Sequence, residues 1–544
     1  QEEMQIETEK EEKEEKEDSP ESAAKEQTAV SEEELDLEDD IENGYFHFLR
    51  PSDGLIAAFF VPVAVLIILF AQRGIFPFGE ECFLRTDMYH QYAPFFSEFQ
   101  YKLKQGGSLL YSWDIGMGVN FSALYAYYLA SPVNWLIILC PKKFIIEFMT
   151  ILIMVKTGLC GVTFTWYLDH HFEKKHFVAG VFGIFYALSG YMAAYSWNIM
   201  WLDCIFLLPL ILYGLEQLVQ EKKGLFYCVT LGLSILSNYY ISIMICIFMV
   251  MYVIVQVILY PPKKIKDLVA TGVRFGFYMI ARHIGNVGTE IGLDHWPNIY
   301  CGVAVLMFLL LYLGAKKITV REKAVYCGLL LMFYASFSIN VLNFIWHGFH
   351  YPNSLPCRQS FIYIALVLTM CYQVCLELKE TSWKQVVWAF WGAIIFVLMA
   401  EKLVDNSAQF HFSVFYAAII FLALYMGLIY LYKRKNWNED VIMMLTLLLV
   451  AVETALNLGV SSLPTTSRTA YVKDNQDTRR LAESIKCDTF YRVEKGDSKT
   501  KNDGAWMNYP SASLFSSVAN ASLSDFVRYL GCESSTNAYS IKGS

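Results

Sequence analysis

Long apolar runs constrain this chain more than any other feature of its sequence. A helix needs about 20 apolar residues to cross the hydrocarbon core of a bilayer. Only helices or closed barrels satisfy their backbone groups within lipid, so the chain is predicted to be an α-helical polytopic membrane protein. The predicted spans lie near 54–72, 144–168, 177–196, 199–219, 225–239, 241–259, 299–314, 324–341, 359–378, 385–403, 412–432 and 440–459.

A further apolar run near 268–281 is too short to cross a bilayer comfortably. It reads LVATGVRFGFYMI and carries Arg274 in its middle, where a charge is costly in lipid. Two interpretations stay open: the run is a re-entrant piece, or the chain joins two segments that are not contiguous in the natural protein. Counting this run, we expect about 13 spans.

The N-terminal segment has a different composition from the rest of the chain. Residues 1–43 contain 20 acidic and 4 basic residues, a local charge of −16, whereas the whole chain carries −9. The segment has no aromatic residue and too little apolar surface to offset its chain entropy. We therefore predict a disordered cytoplasmic tail over residues 1–48. The segment lacks the basic, apolar and small-residue regions of a signal peptide.

The loops between the spans indicate an orientation. Lysine and arginine cluster at 169–176, 221–224, 261–266, 315–323 and 432–440, and such clusters stay on the cytoplasmic side of a membrane. The N-terminus is then inside, and the membrane domain covers residues 49–460 with a large first outer loop at 73–143. Residues 461–544 are predicted to begin an extracytoplasmic domain that is α/β or rich in β-strands, because runs such as TFYRVE alternate in polarity.

Ionisable residues gather near the predicted outer ends of the spans. Asp87, Asp203, His295 and Arg358 come from four separate parts of the chain. Ionisable groups at membrane depth usually face an interior cavity and mark function. The alternative for each residue is ordinary decoration of a helix end by polar groups.

The first outer loop contains one amphipathic stretch, APFFSEFQYKLKQGG. Phe95, Phe99 and Leu103 recur at helical spacing, and the glycine pair from Gly106 should end the helix. We expect this helix to lie along the membrane surface.

Other chemistries find little support. The chain has 13 cysteines but no Cys-x-x-Cys pair, so zinc or dithiol sites are not favoured. A disulfide between Cys487 and Cys532 stays open. No paired-aspartate motif occurs in the outer loops, so a divalent metal is possible in principle but unmotivated, and no other cofactor is indicated. The topology already explains the basic patches, which argues against nucleic-acid binding.

Four stretches carry a resemblance to a known family: DMYHQYAPFFSEFQYKLKQGGSLLYSWDIGMGVNFSALYAYYLASPVN, SGYMAAYSWNIMWLDCIFLLPLI, TEIGLDHWPNIYCG and FHYPNSLPCRQSFIY. They closely resemble the YfhO family of bacterial membrane proteins, which is placed among the type C glycosyltransferases. These multi-span enzymes take a sugar from a polyprenyl-phosphate carrier at the outer face of the plasma membrane. The resemblance runs from about residue 50 to the end. Family members carry further sequence near 275–279 and beyond Ser544, so we expect the natural protein to have additional segments at both places.

The resemblance implies roles for individual residues. Type C enzymes place an acidic residue in the first outer loop, and Asp87 matches it as the base of an inverting transfer. Arg85 or Arg358 would pair with the departing phosphate, and His90 or His295 would donate to it. The alternative for Asp87 is a surface ion pair with Arg85, worth about 0–1 kcal/mol. The candidate substrate-binding residues are Arg85, His90, Asp203, His295, Arg358, Tyr89, Tyr351 and Asn353.

Two functional classes follow. The first is a glycosyltransferase whose partners are a polyprenyl-phosphate-linked sugar, membrane lipids and an extracytoplasmic acceptor, for which the family implies lipoteichoic acid or another cell-envelope polymer. The second is a transporter or flippase for lipids or glycans, in which the same charges bind without reacting. A transporter is expected to have repeated halves with interrupted helices. The long first loop has no counterpart in the second half, which favours the enzyme.

Overall fold

The computed structural model describes residues 49–221, 223–259, 281–290, 296–352, 354–404, 410–435, 437–461, 463–485 and 487–541. The predicted acidic tail and almost all of the short run at 268–281 lie outside these residues. Helices dominate the described part, and each of its strands is two residues long. This architecture agrees with a polytopic helical membrane protein.

Seven described helices are long and apolar enough to cross a membrane, or eight if one bent pair is counted as a span. The seven are Asp53–Gln72, Lys142–His171, Phe177–Tyr195 (broken at 188–189), Leu202–Glu221, Trp383–Leu403, Phe412–Arg434 and Glu439–Ser461. Other predicted spans form the helices Leu225–Ser237, Tyr239–Leu259, Ala304–Gly314, Val320–Ser338 and Ser360–Leu376. About 13 spans are therefore not confirmed.

Asn238 explains why the helix Leu225–Ser237 is short. Its extended backbone ends the helix Leu225–Ser237, and its side-chain Oδ1 accepts from the backbone nitrogen of Ile241 at 2.9 Å. Asn238 thus caps the following helix, as asparagine commonly does. Its Nδ2 donates to the carbonyl of Tyr127 at 3.1 Å, which ties this turn to the first loop.

The bent pair replaces part of the predicted first loop. Residues Phe121–Tyr128 form an α-helix and residues Pro132–Leu139 a 3₁₀-helix, at 107° to each other. Ser131 lies at the bend with an extended backbone, which a residue before proline prefers. The sequence analysis placed no membrane-like helix here.

Small residues bring the helices of the membrane bundle close together. A Cβ atom on Gly180 would lie 2.3 Å from the carbonyl oxygen of Gly54, and one on Gly161 would lie 2.1 Å from that of Ala58. Only glycine permits these distances, and such small-residue contacts are typical of helix packing in membranes. The helix Asp53–Gln72 therefore packs directly against the two helices that follow the first loop.

The first loop and the C-terminal segment pack together as the non-membrane part of the fold. The strand Glu81–Cys82 pairs antiparallel with Thr466–Ser467. The strands Tyr111–Ser112 and Val119–Asn120 form a hairpin, and Leu514–Phe515 pairs with Ala538–Tyr539. Short helices complete this part: Ala93–Gln105, Arg468–Val472, Asn475–Ser484, Asp503–Met507 and Ala521–Tyr529. The short helix Asn340–Trp346 instead packs against the helices Val320–Ser338 and Tyr239–Leu259.

The helix Ala93–Gln105 differs from its prediction. It ends at Gly106, whose backbone is left-handed, as expected. However, Phe95 and Phe99 are fully buried, and the hydroxyl of Ser97 donates to the carbonyl of Trp506 at 2.8 Å. Because the helix Asp503–Met507 covers it, the amphipathic helix is an internal element rather than one lying along a membrane surface.

The predicted strand TFYRVE is also absent from the structure. Residues 489–494 are irregular, and the backbone nitrogen of Val493 donates to the carbonyl of Pro510 at 2.8 Å. Proline has no N–H to return that bond, so a ladder does not develop. With two-residue strands elsewhere in the segment, the expected β-rich C-terminal domain is not confirmed.

Candidate functional site

Asp87 lies at the start of a short π-helix, Met88–Tyr92, which continues into the helix Ala93–Gln105. Thr86, just before it, has a positive φ of 48°, which is unfavourable for a β-branched residue. Met88 and Tyr92 are buried and anchor the turn. π-helical turns and strained backbone often occur at functional sites, and here they hold a half-buried carboxylate in a fixed position.

Three influences act on the Asp87 carboxylate. Burial raises its pKa above the ordinary value, while a hydrogen bond from Gln91 and the charge of Arg358 lower it. The guanidinium of Arg85 lies 3.5 Å from the carbonyl of Ala193 in a buried setting. The predicted alternative was an ion pair between Arg85 and Asp87 at the surface. Arg85 is not a surface residue, because only 8% of it is exposed.

Gln91 is itself held by two residues that are distant in sequence. The hydroxyl of Tyr128 donates to Gln91 Oε1 at 2.5 Å, and the backbone nitrogen of Ser517 donates to the Tyr128 hydroxyl at 2.8 Å. Gln91 in turn bonds to Asp87. These hydrogen bonds all point in one direction, toward the carboxylate, and bonds aligned in this way strengthen one another.

Arg358 is held by its own loop and by aromatic rings. Its Nε donates to the carbonyl of Leu355 at 3.1 Å and its Nη2 to that of Ser354 at 3.0 Å. The guanidinium lies 5.3 Å from the ring centre of Trp201 and 5.2 Å from that of Tyr240. Among the described residues, Arg358 takes part in no ion pair. Its positive charge is therefore available to an anion.

Asp87 and Arg358 belong to one site. The charge of Arg358 acts on Asp87, and both charges act on the hydroxyl of Tyr127, which comes from the bent pair. Both also act on Tyr92. A carboxylate and an arginine from distant parts of the chain thus act on the same two tyrosine hydroxyls. The sequence analysis named both charged residues without showing that they meet.

Tyr89 and His90 turn away from this space toward the C-terminal segment. The ring of Tyr89 lies 4.6 Å from that of Tyr471, whose hydroxyl donates to the Tyr89 carbonyl at 2.9 Å. The His90 carbonyl accepts from Asn502 at 2.7 Å, and the His90 ring contacts that of Phe515. These two predicted residues hold the C-terminal segment in place.

The remaining predicted residues are dispersed. Tyr351 packs its ring against Phe344 at 4.8 Å and is 54% exposed. Asp203 is buried and forms a separate ion pair with Lys156. His295 and Asn353 lie outside the described residues. The structure therefore brings together Asp87 and Arg358 but does not place Tyr351 or Asp203 with them.

The partner of Asp203 is Lys156, which is not among the residues predicted for the site. Lys156 Nζ donates to Asp203 Oδ2 at 2.5 Å and to the carbonyl of Ile199 at 3.2 Å. The hydroxyl of Ser131 donates to Asp203 Oδ1 at 2.7 Å. This pair joins two spans to the bend of the 107° helix pair. The sequence did contain a signal for this pair, because Lys156 is the one lysine in the apolar run at 144–168.

Two further intramembrane carboxylates went unnoticed. Glu453 accepts from the hydroxyls of Tyr300 and Tyr425, at 2.9 and 2.5 Å, and Glu216 accepts from that of Tyr252 at 2.7 Å. Each lies within a predicted span, where a carboxylate is rare and indicates a position facing the interior of the bundle. Both are satisfied by neighbouring helices, so they fit a role in holding the bundle.

A comparison with protein-family models gives a match over most of the chain. A family model described as "Bacterial membrane protein YfhO" matches residues 57–281 and 280–544. The two matched regions overlap at residues 280–281, at the end of the short run at 268–281. No curated protein and no solved structure matches the chain.

Proposed function

The chain belongs to the YfhO family of bacterial membrane proteins, and from that membership and the geometry around Asp87 we propose that it is a membrane glycosyltransferase. The proposed donor is a sugar on a polyprenyl-phosphate carrier. The proposed acceptor is a hydroxyl of lipoteichoic acid or another extracytoplasmic envelope polymer. The observation that carries the proposal is that a half-buried carboxylate, Asp87, interacts electrostatically with Arg358, which forms no ion pair among the described residues, and that both charges act on the hydroxyl of Tyr127.

In this proposal Asp87 is the general base. The acceptor oxygen bonds to the anomeric carbon of the sugar while its proton passes to the Asp87 carboxylate. A base works best when its pKa lies near the working pH, so the upward shift that burial gives Asp87 suits this role.

Arg358 receives the leaving group. The bond between the anomeric carbon and the carrier phosphate breaks, and the phosphate departs with the electron pair and an added negative charge. A guanidinium can stabilise that charge through parallel hydrogen bonds. The aromatic rings of Trp201 and Tyr240 on either side would exclude water and strengthen the interaction. Attack opposite the leaving phosphate inverts the anomeric configuration.

The substitution Asp87→Asn tests the proposal, because an amide keeps the shape of the side chain but cannot accept the proton. Transfer of a labelled sugar from a polyprenyl-phosphate donor should fall by about two or more orders of magnitude, with expression and donor binding preserved. Glutamate at this position should keep part of the activity, since one methylene misplaces the base by about an ångström.

Asp525→Asn is the matched control, since Asp525 lies in the C-terminal segment and pairs with Arg528 on an exposed helix surface. It should transfer sugar like the wild type. If Asp87→Asn retains wild-type transfer, the assignment of Asp87 as the base is wrong. If neither the wild type nor Asp525→Asn transfers sugar, while both move a lipid-linked sugar across vesicle membranes, the protein is a transporter rather than a glycosyltransferase.

A further inference from the structure

One cavity that Asp87 does not line lies among the helices Phe177–Ala187, Ala304–Gly314, Ser360–Leu376, Phe412–Arg434 and Glu439–Ser461. Its volume is about 320 Å³. Apolar side chains line most of it, including those of Val181, Phe182, Phe185, Val305, Phe308 and Ile442. The interior of this cavity is therefore suited to a hydrocarbon chain.

The mouth of the cavity is charged and mainly basic. Lys174, His176, Lys379 and Glu439 all line it. Lys379 and Glu439 form an ion pair with each other, whereas Lys174 takes part in no ion pair among the described residues. The charges of Lys174, Lys379 and Glu439 all act on His176, which shows that the four groups form one cluster. A positive charge remains there after the pair is counted.

The cavity is distinct from the candidate transferase site. His176 immediately precedes the helix Phe177–Ala187, and Tyr195 ends the helix that follows it. The charge of Arg358 acts on Tyr195, so the two sites lie at opposite ends of the span Phe177–Tyr195. The helices Phe177–Ala187 and Gly190–Tyr195 separate His176 from Tyr195, so the residues around His176 and Arg358 belong to different sites.

We propose that this cavity binds an anionic phospholipid, with one acyl chain between the helices and the phosphate beside Lys174 and His176. Basic pockets between membrane helices on the cytoplasmic side are suited to anionic headgroups, and Lys174, His176 and Glu439 come from loops that are predicted to lie on that side. A soluble phosphate compound would leave the apolar wall uncovered. A phospholipid would cover the apolar wall with its acyl chain and place its phosphate at the basic mouth.

The contacts of Lys433 and His176 support this arrangement. Lys433 is already used, since its Nζ donates to the carbonyls of Leu378 and Lys379 and closes the adjacent turn. His176 accepts from the backbone nitrogen of Val178 through Nδ1 at 3.2 Å, which leaves its Nε2 for a second partner. The phosphate therefore has one lysine and one imidazole nitrogen within the cluster to contact.

Lipid binding to the purified full-length chain tests the proposal directly. The protein is delipidated in mild detergent and titrated with phosphatidylglycerol or phosphatidylcholine of identical chains, and bound lipids are counted by native mass spectrometry. One phosphatidylglycerol per chain should bind at least about fivefold more tightly than phosphatidylcholine, since one basic residue near a membrane surface contributes about this factor. Equal affinities for the two lipids would overturn the proposal.

Three variants test the headgroup site and the acyl-chain site separately. Lys174→Gln should weaken phosphatidylglycerol binding about fivefold, while Lys384→Gln, an exposed lysine outside the cavity, should not. Val181→Phe narrows the apolar wall and should weaken both lipids. If Lys174→Gln binds phosphatidylglycerol like Lys384→Gln, the headgroup site is wrong. If correctly folded Val181→Phe keeps both lipids, the acyl-chain site is wrong.

Discussion

The hydroxyl of Tyr128 donates to Oε1 of Gln91 at 2.5 Å, and this bond determines which way the Gln91 amide points. With its oxygen engaged by Tyr128, the amide nitrogen is directed at Asp87. The backbone nitrogen of Ser517 in turn holds the Tyr128 hydroxyl. The C-terminal segment therefore helps to position the candidate base, although Ser517 follows Tyr128 by 389 residues.

Tyr128→Phe should lower transfer without destroying the site. Removing the hydroxyl leaves Gln91 free to rotate, and the loss of one hydrogen bond of this kind corresponds to about a three- to tenfold effect. The measurement is kcat for sugar transfer at saturating donor. Tyr125→Phe is the control, because Tyr125 lies on the same helix but bonds to Trp135. Equal activities of the two variants would contradict the role of Tyr128.

The pH dependence of transfer should report the Asp87 carboxylate. A base must be ionised, so activity should fall as the pH drops through its pKa, which burial raises. The hydrogen bond from Gln91 lowers that pKa, so Gln91→Leu should move the acid limb to higher pH. A hydrogen bond to a charged group corresponds to about one to two pH units. An acid limb unchanged in Gln91→Leu would show that another group titrates.

Some of this site was predictable from the sequence and some was not. Asp87 and Arg358 stand out because charges near membrane spans are rare, and Gly106 ends its helix because it adopts a left-handed backbone. The contact between Tyr128 and Gln91 has no local pattern, since two ordinary polar residues meet only after the bent pair folds. The burial of Phe95 was equally unreadable, because the segment that covers it comes some 400 residues later.

Arg358→Lys should weaken donor binding. The guanidinium uses two N–H groups on the loop carbonyls of Ser354 and Leu355 and still presents others to a phosphate, whereas an ammonium has one nitrogen for all these partners. The apparent KM for the lipid-linked sugar should rise by about tenfold or more.

Arg434→Lys serves as the control for Arg358→Lys, since Arg434 also lies over a tryptophan ring, that of Trp383, but at a different place in the bundle. Its KM should stay at the wild-type value. If Arg358→Lys also keeps that value, Arg358 interacts with lipid headgroups rather than with the carrier phosphate.

Labelling of a native thiol should test the predicted orientation. Cys487 is exposed and forms no disulfide in the structure, and it belongs to the segment that the topology places outside. A membrane-impermeant maleimide should therefore label intact cells at Cys487, and Cys487→Ser should remove that label. Labelling of Cys487 only after the cells are opened would reverse the whole orientation.

The Lys156–Asp203 pair should matter to stability more than to chemistry. Both side chains are at most 2% exposed, so removing one partner leaves a charge buried without compensation, at a cost of about 3–5 kcal/mol. Lys156→Met should thus unfold at a much lower temperature in detergent, while the double variant Lys156→Met with Asp203→Leu should regain most of the loss, since apolar replacements of a buried pair are often neutral. Thermal unfolding followed by loss of monodisperse protein measures both. If the double variant is stable yet transfers no sugar, while Asp87→Asn remains active, the base is Asp203 and the proposed role of the first loop is wrong.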